Sequence, residues 1–412
     1  MIVVGGGFAG VQLVRRLDED LFDILLIDKV NHYQFQPLFY QVATSQLEPS
    51  SISFPLRNIF KDQKNVQVRL AEVLSVDPAN NRIVTTIGEF EYDYLVLAIG
   101  CTTNFFGNAN IQTNTLTLKS TYDAITIRNH ILQIFESIIS AKEEERESLL
   151  NLVIAGGGPT GVELAGAFAE IKKNILPKDY HGIDFSKFRI ILIEGSKDTL
   201  SSMSPTAKSA SRTYLEEMNV TVLTERFVKD YDGTQVLLSN GDVIKSKTVI
   251  WAAGVTGSPI KGFSEHVIAR GNRLKVNRIS KVLDSENMFA IGDIAYMETP
   301  KYPNAHPQIA NVAIHHAKHL VKNLKRIALN QQPVEFEYND PGTMATIGRH
   351  KAVVDFPFMH LKGYFAWVIW MFLHLMEILS VKNKLIIFIK WAWAYMTRDT
   401  SLRLILTEDK KK

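Results

Sequence analysis

Twice in this chain a short β-branched run gives way to a glycine turn and then to a helical pattern. Few folds can accommodate that unit. The first copy reads Ile2-Val3-Val4, then Gly5-Gly6-Gly7-Phe8-Ala9-Gly10, then Val11 to Leu17. In this G-x-G-x-x-G pattern Gly5 permits the tight turn, Gly7 lets backbone approach a pyrophosphate, and Gly10 lets the helix pack on the strand. The helix N-terminus adds free N–H groups and a partial positive charge. The next strand, Ile24 to Ile27, ends in Asp28, 23 residues past Gly5, where a carboxylate can hydrogen-bond an adenosine ribose.

The second copy runs from Leu152–Ala155 through Gly156-Gly157-Gly158-Pro159-Thr160-Gly161 into the helical stretch Val162–Ala169. Its second strand, Ile190 to Ile193, ends in Glu194. A Glu there accepts hydrogen bonds from a ribose 2′-OH and repels a 2′-phosphate, so this copy favours NADH over NADPH. An insertion near residues 172–187 lengthens the spacing to Glu194. Three further strands end in glycine, at Gly100, Gly254 and Gly292, the last followed by Asp293. The expected fold is α/β, with two Rossmann-like dinucleotide-binding domains.

Composition narrows the chemistry. Lys+Arg is 46 against Asp+Glu 43, a formal net charge of +3, which argues against an electrostatic grip on nucleic acid. The one cysteine, Cys101, cannot close an intramolecular disulfide or build a zinc or iron–sulfur site. Beside Gly100 it reads as a packing residue. Residues 1–10 lack the basic and apolar stretches of a secretory signal.

The order of these segments resembles the two-dinucleotide flavoprotein superfamily, in which an FAD domain is interrupted by an NAD(P)H domain. Members that pass electrons to a disulfide need a cysteine pair, which this chain lacks. Three stretches narrow the resemblance to the type II NADH dehydrogenases, single-subunit NADH:quinone oxidoreductases that pump no protons. They are residues 28–44, the run Gly157-Gly158-Pro159-Thr160-Gly161-Val162-Glu163-Leu164-Ala165-Gly166, and Pro307-Gln308-Ile309-Ala310-Asn311-Val312. The last is similar to the family's quinone motif A-Q-x-A-x-Q, with Pro307 and Val312 departing from it. The strand before Gly5 is also shorter than members usually carry.

The resemblance implies an FAD site of Gly5, Gly7, Phe8, Ala9, Gly10, Asp28, Lys29, Gln36, Gly100, Gly292 and Asp293. It implies an NADH site of Gly156, Gly158, Gly161, Glu194 and Gly254. The implied reaction is hydride transfer from NADH to FAD, then two-electron reduction of a quinone. Glu163, on the first turn of the second helix, is expected near stacked nicotinamide and flavin; a plain helix-dipole partner is the alternative. Gln308 both donates and accepts, suiting a quinone carbonyl or the flavin's pyrimidine edge, or simply a helix start. Lys362 is placed to stabilise a reduced flavin or quinolate, although snorkelling at a membrane edge also explains it. His315, His316 and His319 share a helical stretch, but with no carboxylate or Cys in support they read as solvated or packing residues, and no metal is expected.

The tail differs from the rest. Residues 351–412 hold ten Lys/Arg against five Asp/Glu, and four of the five tryptophans. Two apolar stretches, residues 363–376 and 385–396, fall short of the roughly 18–20 residues that span a bilayer. Rich in Trp and Tyr and flanked by basic residues, they suit insertion into one leaflet of an anionic membrane. A hairpin buried in a homodimer interface is the alternative. The expected organisation is an FAD domain from residues 1–110 and 275–335, an NADH domain from 111–274, and a C-terminal amphipathic, membrane-associating region from 336–412. The expected place is the cytoplasmic face of the cell membrane, peripherally. A soluble NADH-dependent reductase feeding a small electron-carrier protein, and an NADH-sensing flavoprotein, are the rival functions.

Overall fold

The computed structural model describes residues 1–398 and 402–406. Packing divides the chain into two compact units, each assembled from separate stretches of sequence. The first gathers Met1–Gln34, Ser53–Thr102 and Val255–Asp340; the second gathers Phe35–Ile52, Thr103–Gly254 and Pro341–Lys412. A division by ligand, as the motif order suggests, is a separate matter, because packing does not report which nucleotide a segment holds.

The first unit is built on a five-stranded parallel sheet in the order Met288–Ala290, Leu95–Leu97, Ile2–Val4, Ile24–Asp28, Val66–Leu70. The three strands Ile2–Val4, Leu95–Leu97 and Met288–Ala290 are buried along their whole length, as parallel strands covered on both faces must be. Ile2–Val4 lies between two neighbours, so the glycine turn leaves the sheet at a point where ligands commonly bind. Helix Phe8–Val14 turns Ala9, Val11, Leu13 and Val14 inward and packs against helix Ala310–Ala328.

The second unit repeats the plan. Its sheet runs Leu116–Thr117, Thr248–Trp251, Asn151–Ala155, Arg189–Ile193, Val220–Leu223, again all parallel. Helix Pro159–Asn174 opens with a proline in its first turn, where a missing N–H costs nothing. The insertion that follows folds as a short helix, Leu176–Asp179, and a loop. The Phe135 ring anchors it, 5.8 Å from Tyr180, 5.8 Å from Phe185 and 5.3 Å from Phe188.

A three-stranded antiparallel sheet, Thr343–Gly348, Lys351–Phe356 and Met359–Lys362, lies on helix Pro159–Asn174. Gly166 permits that approach: a Cβ there would sit 1.6 Å from the Ile347 carbonyl oxygen. Two apolar helices, Tyr364–Glu377 and Val381–Thr397, form the tail hairpin. Among the described residues no helix is long and apolar enough to cross a membrane.

Candidate active site

The first glycine turn has the geometry its sequence implies. Gly5 adopts φ +104°, and a Cβ on it would meet the Ala98 carbonyl oxygen at 2.3 Å. A Cβ on Gly10 would meet the Gly5 carbonyl oxygen at 1.8 Å, whereas one on Gly7 would meet no protein atom within 4 Å. Gly7 therefore faces open space beside the helix N-terminus, which is what a pyrophosphate requires. Asp28 accepts from the Gly6 N–H at 2.5 Å and from the Val30 N–H at 2.7 Å. Burial pushes its carboxyl upward, and these two donors hold it back. In the same unit Gly292, at φ +71°, sits so close that a Cβ would lie 3.2 Å from the Ala9 Cβ. The Cys101 thiol donates to Asp293 Oδ2 at 2.8 Å, and the Gln308 amide donates to the Asp293 carbonyl at 3.1 Å.

The second turn matches the first almost atom for atom. Gly156 adopts φ +112°, its Cβ would lie 2.4 Å from the Ala252 carbonyl oxygen, and a Cβ on Gly161 would lie 1.8 Å from the Gly156 carbonyl oxygen. Gly158 faces open space. Glu194 accepts from the Gly157 N–H at 2.6 Å and the Ser196 N–H at 2.7 Å, so the insertion leaves the acid in place. Gly254, φ +155°, closes the strand beside it and accepts from the Asn104 N–H.

The second unit also holds a cavity of about 110 Å³. Its floor is helix Pro159–Asn174, through Glu163 and Glu170, seven residues apart and so on one face. The strand end Thr346–Arg349 and the pair Tyr40 and Gln41 form its walls, and Trp367, Trp370, Trp391 and Tyr395 of the hairpin form its roof. Burial pushes the Glu163 carboxyl up to about 8, opposed only by a long 3.4 Å bond from the Thr346 N–H. Burial raises Glu170 as well, although it accepts from the Arg349 N–H. The Tyr40 hydroxyl is pushed up by burial and by both carboxyls, and accepts from the Gln41 amide at 2.8 Å. Gln41 Oε1 in turn accepts from the Trp391 indole at 2.8 Å, tying the hairpin to the cavity wall. Trp370 stacks on His374 at 4.0 Å, and its buried indole N–H has no hydrogen-bond partner among the described residues.

Comparison with known proteins agrees with this arrangement. The family described as pyridine nucleotide-disulphide oxidoreductase matches residues 1–317, and the NDH2 C-terminal domain matches residues 341–399. The type II NADH:quinone oxidoreductase Ndh of Mycobacterium tuberculosis is 32% identical over 96% of this chain and 88% of its own length. The chain belongs to the type II NADH:quinone oxidoreductases. A second M. tuberculosis relative, NdhA, is 33% identical over 97% of this chain and 87% of its own. In fold, NDH2 of Plasmodium falciparum, solved in complex with NADH, superposes with a TM-score of 0.91 at 22% identity, covering 98% of this chain and 99% of that one. A sulfide:quinone oxidoreductase from Aquifex aeolicus gives a TM-score of 0.71 at 19% identity over 93% of this chain and 91% of that one.

Both cofactors of this NADH:quinone oxidoreductase fit the residues present. FAD and NADH each need a glycine with open space before a helix N-terminus and an acid oriented by backbone donors, and the chain supplies each twice. Other sequence expectations look different in three dimensions. Gln308 spends one amide N–H on the Asp293 backbone, leaving Oε1 and a second N–H. Cys101 is a hydrogen-bond donor to the Asp293 carboxylate rather than mere packing. Lys362 ends its strand at Met359–Lys362 without lining the cavity. Glu170, Tyr40, Gln41 and the roof tryptophans were not legible as site residues. The one signal for them is Gly166, a glycine inside a helix, which marks a close packing approach.

Proposed function

We propose that the chain oxidises NADH and reduces a membrane quinone without pumping protons, working peripherally at the cytoplasmic face of the membrane. FAD is held by Gly5, Gly7, Phe8, Ala9, Gly10, Asp28, Lys29, Gln36, Gly100, Gly292 and Asp293. NADH is held by Gly156, Gly158, Gly161, Glu194 and Gly254, and Glu163, Gln308 and Lys362 act on the reacting groups. Bound FAD supplies the electron chemistry, accepting two electrons from NADH and passing them on. The protein's part is to orient the partners, exclude water and hold a proton.

One observation carries this reading: a carboxyl kept neutral on the floor of a tryptophan-roofed cavity. NADH, quinone and one proton from the medium give NAD⁺ and quinol, so each turnover consumes one proton beyond those on NADH. Glu163, with its value near 8, holds such a proton at neutral pH. The hairpin supplies the lipid side. Phe365 is 74% exposed, Ile389 63%, Trp393 63% and Met396 80%, an apolar surface on helices too short to cross a bilayer. Lys382 and Lys384 stand on the first turn of the second helix, next to the connection between the two, where an anionic headgroup layer would meet them.

Stopped-flow of the FAD-loaded protein tests the function. After reduction by NADH, reoxidation should quicken with short-chain quinone concentration, and Gln308→Ala should slow that step while sparing reduction. Reoxidation indifferent to quinone would move the acceptor to a protein or leave a sensing role.

A further inference from the structure

The first unit contains a buried chain of polar side chains that neither the glycine turn nor the quinone chemistry uses. His316, on helix Ala310–Ala328, and His306 are 0% and 1% exposed. The Gly292 N–H donates to His316 Nδ1 at 3.2 Å, and His316 Nε2 faces His306 Nδ1 at 3.4 Å. His306 Nε2 faces the Thr299 hydroxyl at 3.4 Å, and that hydroxyl donates to Glu337 Oε1 at 2.7 Å.

The direction of this chain is forced from one end. A backbone N–H can only donate, so His316 Nδ1 must be a bare acceptor and its single proton must sit on Nε2. His306 Nδ1 then accepts and its Nε2 donates. Thr299 passes the order on to a carboxylate that can only accept. Arg273 fixes the other side of the pair, donating from one guanidinium nitrogen to the carbonyls of both His306 and Ala295. Two histidines that merely filled space would need no such register. The groups facing His316 are His306, Arg273, His319 and His315, and those facing His306 are Glu337 and Arg273. A second positive charge in this surround is unfavourable, and burial lowers both histidines, so the pair stays neutral and the acceptor stays available.

We propose that His316, oriented by His306, is a positioning residue that fixes the Gly292–Asp293 loop in the shape that holds FAD. The inference rests on the reading that the first unit is the FAD cradle. Gly292 is in the left-handed region that glycine adopts freely, and a Cβ on it would lie 3.2 Å from Ala9 and 3.3 Å from Ala313, so the loop runs close against both helices and a shift in it changes that packing. Asp293 is the next residue, and its carboxylate and carbonyl are already committed to Cys101 and Gln308. Removing the acceptor leaves a buried N–H unpaired and frees the loop to shift.

The test is the FAD dissociation constant of purified holoprotein, followed by flavin fluorescence on dilution, together with the flavin midpoint potential. His316→Leu should weaken FAD by roughly five- to a hundredfold, the range for orphaning a buried donor. His316→Asn, whose Oδ1 stands as many bonds from Cβ as Nδ1 does, keeps the acceptor and should stay within about threefold of the parent in affinity. Its potential should stay with the parent's, while that of His316→Leu shifts. His316→Gln, whose amide lies one bond farther out at the Nε2 position, should resemble Leu in a core that stays polar, and so decides the matter if His316→Leu does not fold. NADH binding by each variant reports that the second unit is intact. Parent-like affinity in both Leu and Gln, or an Asn variant as weak as Leu, overturns the proposal. Gly7→Val separates the cradle from the positioning role: if it keeps FAD, the cradle reading fails; if it loses FAD while Leu and Gln keep it, only the positioning role fails.

Discussion

The two glycine turns share a backbone and part company immediately behind it. Gly5 and Gly156 take φ +104° and +112°, Gly10 and Gly161 each block a Cβ at 1.8 Å, and Gly7 and Gly158 both face open space. Yet the helix after the first turn, Phe8–Val14, has 7 residues and packs against one neighbouring helix, whereas the helix after the second, Pro159–Asn174, has 16. The added turns carry Glu170 and the glycine that seats the tail sheet. The first helix thus serves a cradle alone, while the second serves a cradle at its N-terminus and a cavity along its flank. A duplicated nucleotide turn fixes where a phosphate sits; the length of the helix behind it decides whether the unit also has chemistry to do.

The largest effect should come from what the turns share. Gly10→Ala and Gly161→Ala should each destabilise their unit by about 3 kcal/mol, the upper part of the range for overpacking, seen by urea unfolding. A marked cost in one turn only would break the equivalence. Next comes what they do not share. Glu163→Gln should slow quinone-dependent reoxidation by roughly 10²-fold, typical of losing one proton-transfer group, and remove the fall in rate that the parent shows as pH rises through about 8.

The same residue has a thermodynamic signature. Its value is raised in the folded chain, so stability is greatest below the ordinary carboxyl value of 4.5 and declines as pH rises towards about 8. Glu163→Gln should therefore raise the melting temperature at pH 8 relative to the parent and change it little in acid. A parent-like slope in the variant would remove Glu163 as the proton holder.

The acids ending the second strands were legible because their spacing is local: Asp28 and Glu194 each follow a strand that follows a glycine turn, and backbone donors orient both. So were the tail helices, whose apolar runs and basic flanks are continuous in sequence. The cavity was not. It depends on residues 40–46, 163–170, 346–349 and 367–395 meeting through Gly166, a long-range packing event with no periodic signature. For Gln308, residue type leaves a ligand contact and a helix start both open, because an amide's partners are set by the fold, and here one partner is the Asp293 backbone. Cys101 reads from sequence as a packing residue, as free cysteines usually are, and only the fold brings Asp293 to it.

Smaller effects should sharpen the contrast between the two acids. Glu194→Ala should cut the preference for NADH over NADPH by roughly tenfold, the worth of about one charged hydrogen bond, without releasing FAD. Asp28→Asn should weaken FAD and leave the coenzyme preference unchanged. Smallest in the purified protein would be Phe365→Ser with Trp393→Ser on the exposed hairpin surface. Stability should move by less than about 0.5 kcal/mol, as for surface positions, while sedimentation with anionic vesicles weakens. Unchanged sedimentation would assign that surface to another partner, including a second copy of the chain.

The most direct test of the two-cradle account uses the glycines that touch nothing. Gly7 and Gly158 are in extended backbone, φ −83° and −71°, with open space where a side chain would go, so valine at either should fold and report only on a ligand. Anaerobic NADH titration of the two variants, read by flavin absorbance, is the measurement. Gly158→Val should retain its yellow flavin but require far more NADH to bleach it, and Gly7→Val should purify as a folded, colourless protein that still binds NADH. Loss of flavin from Gly158→Val, with Gly7→Val retaining it, would contradict the assignment.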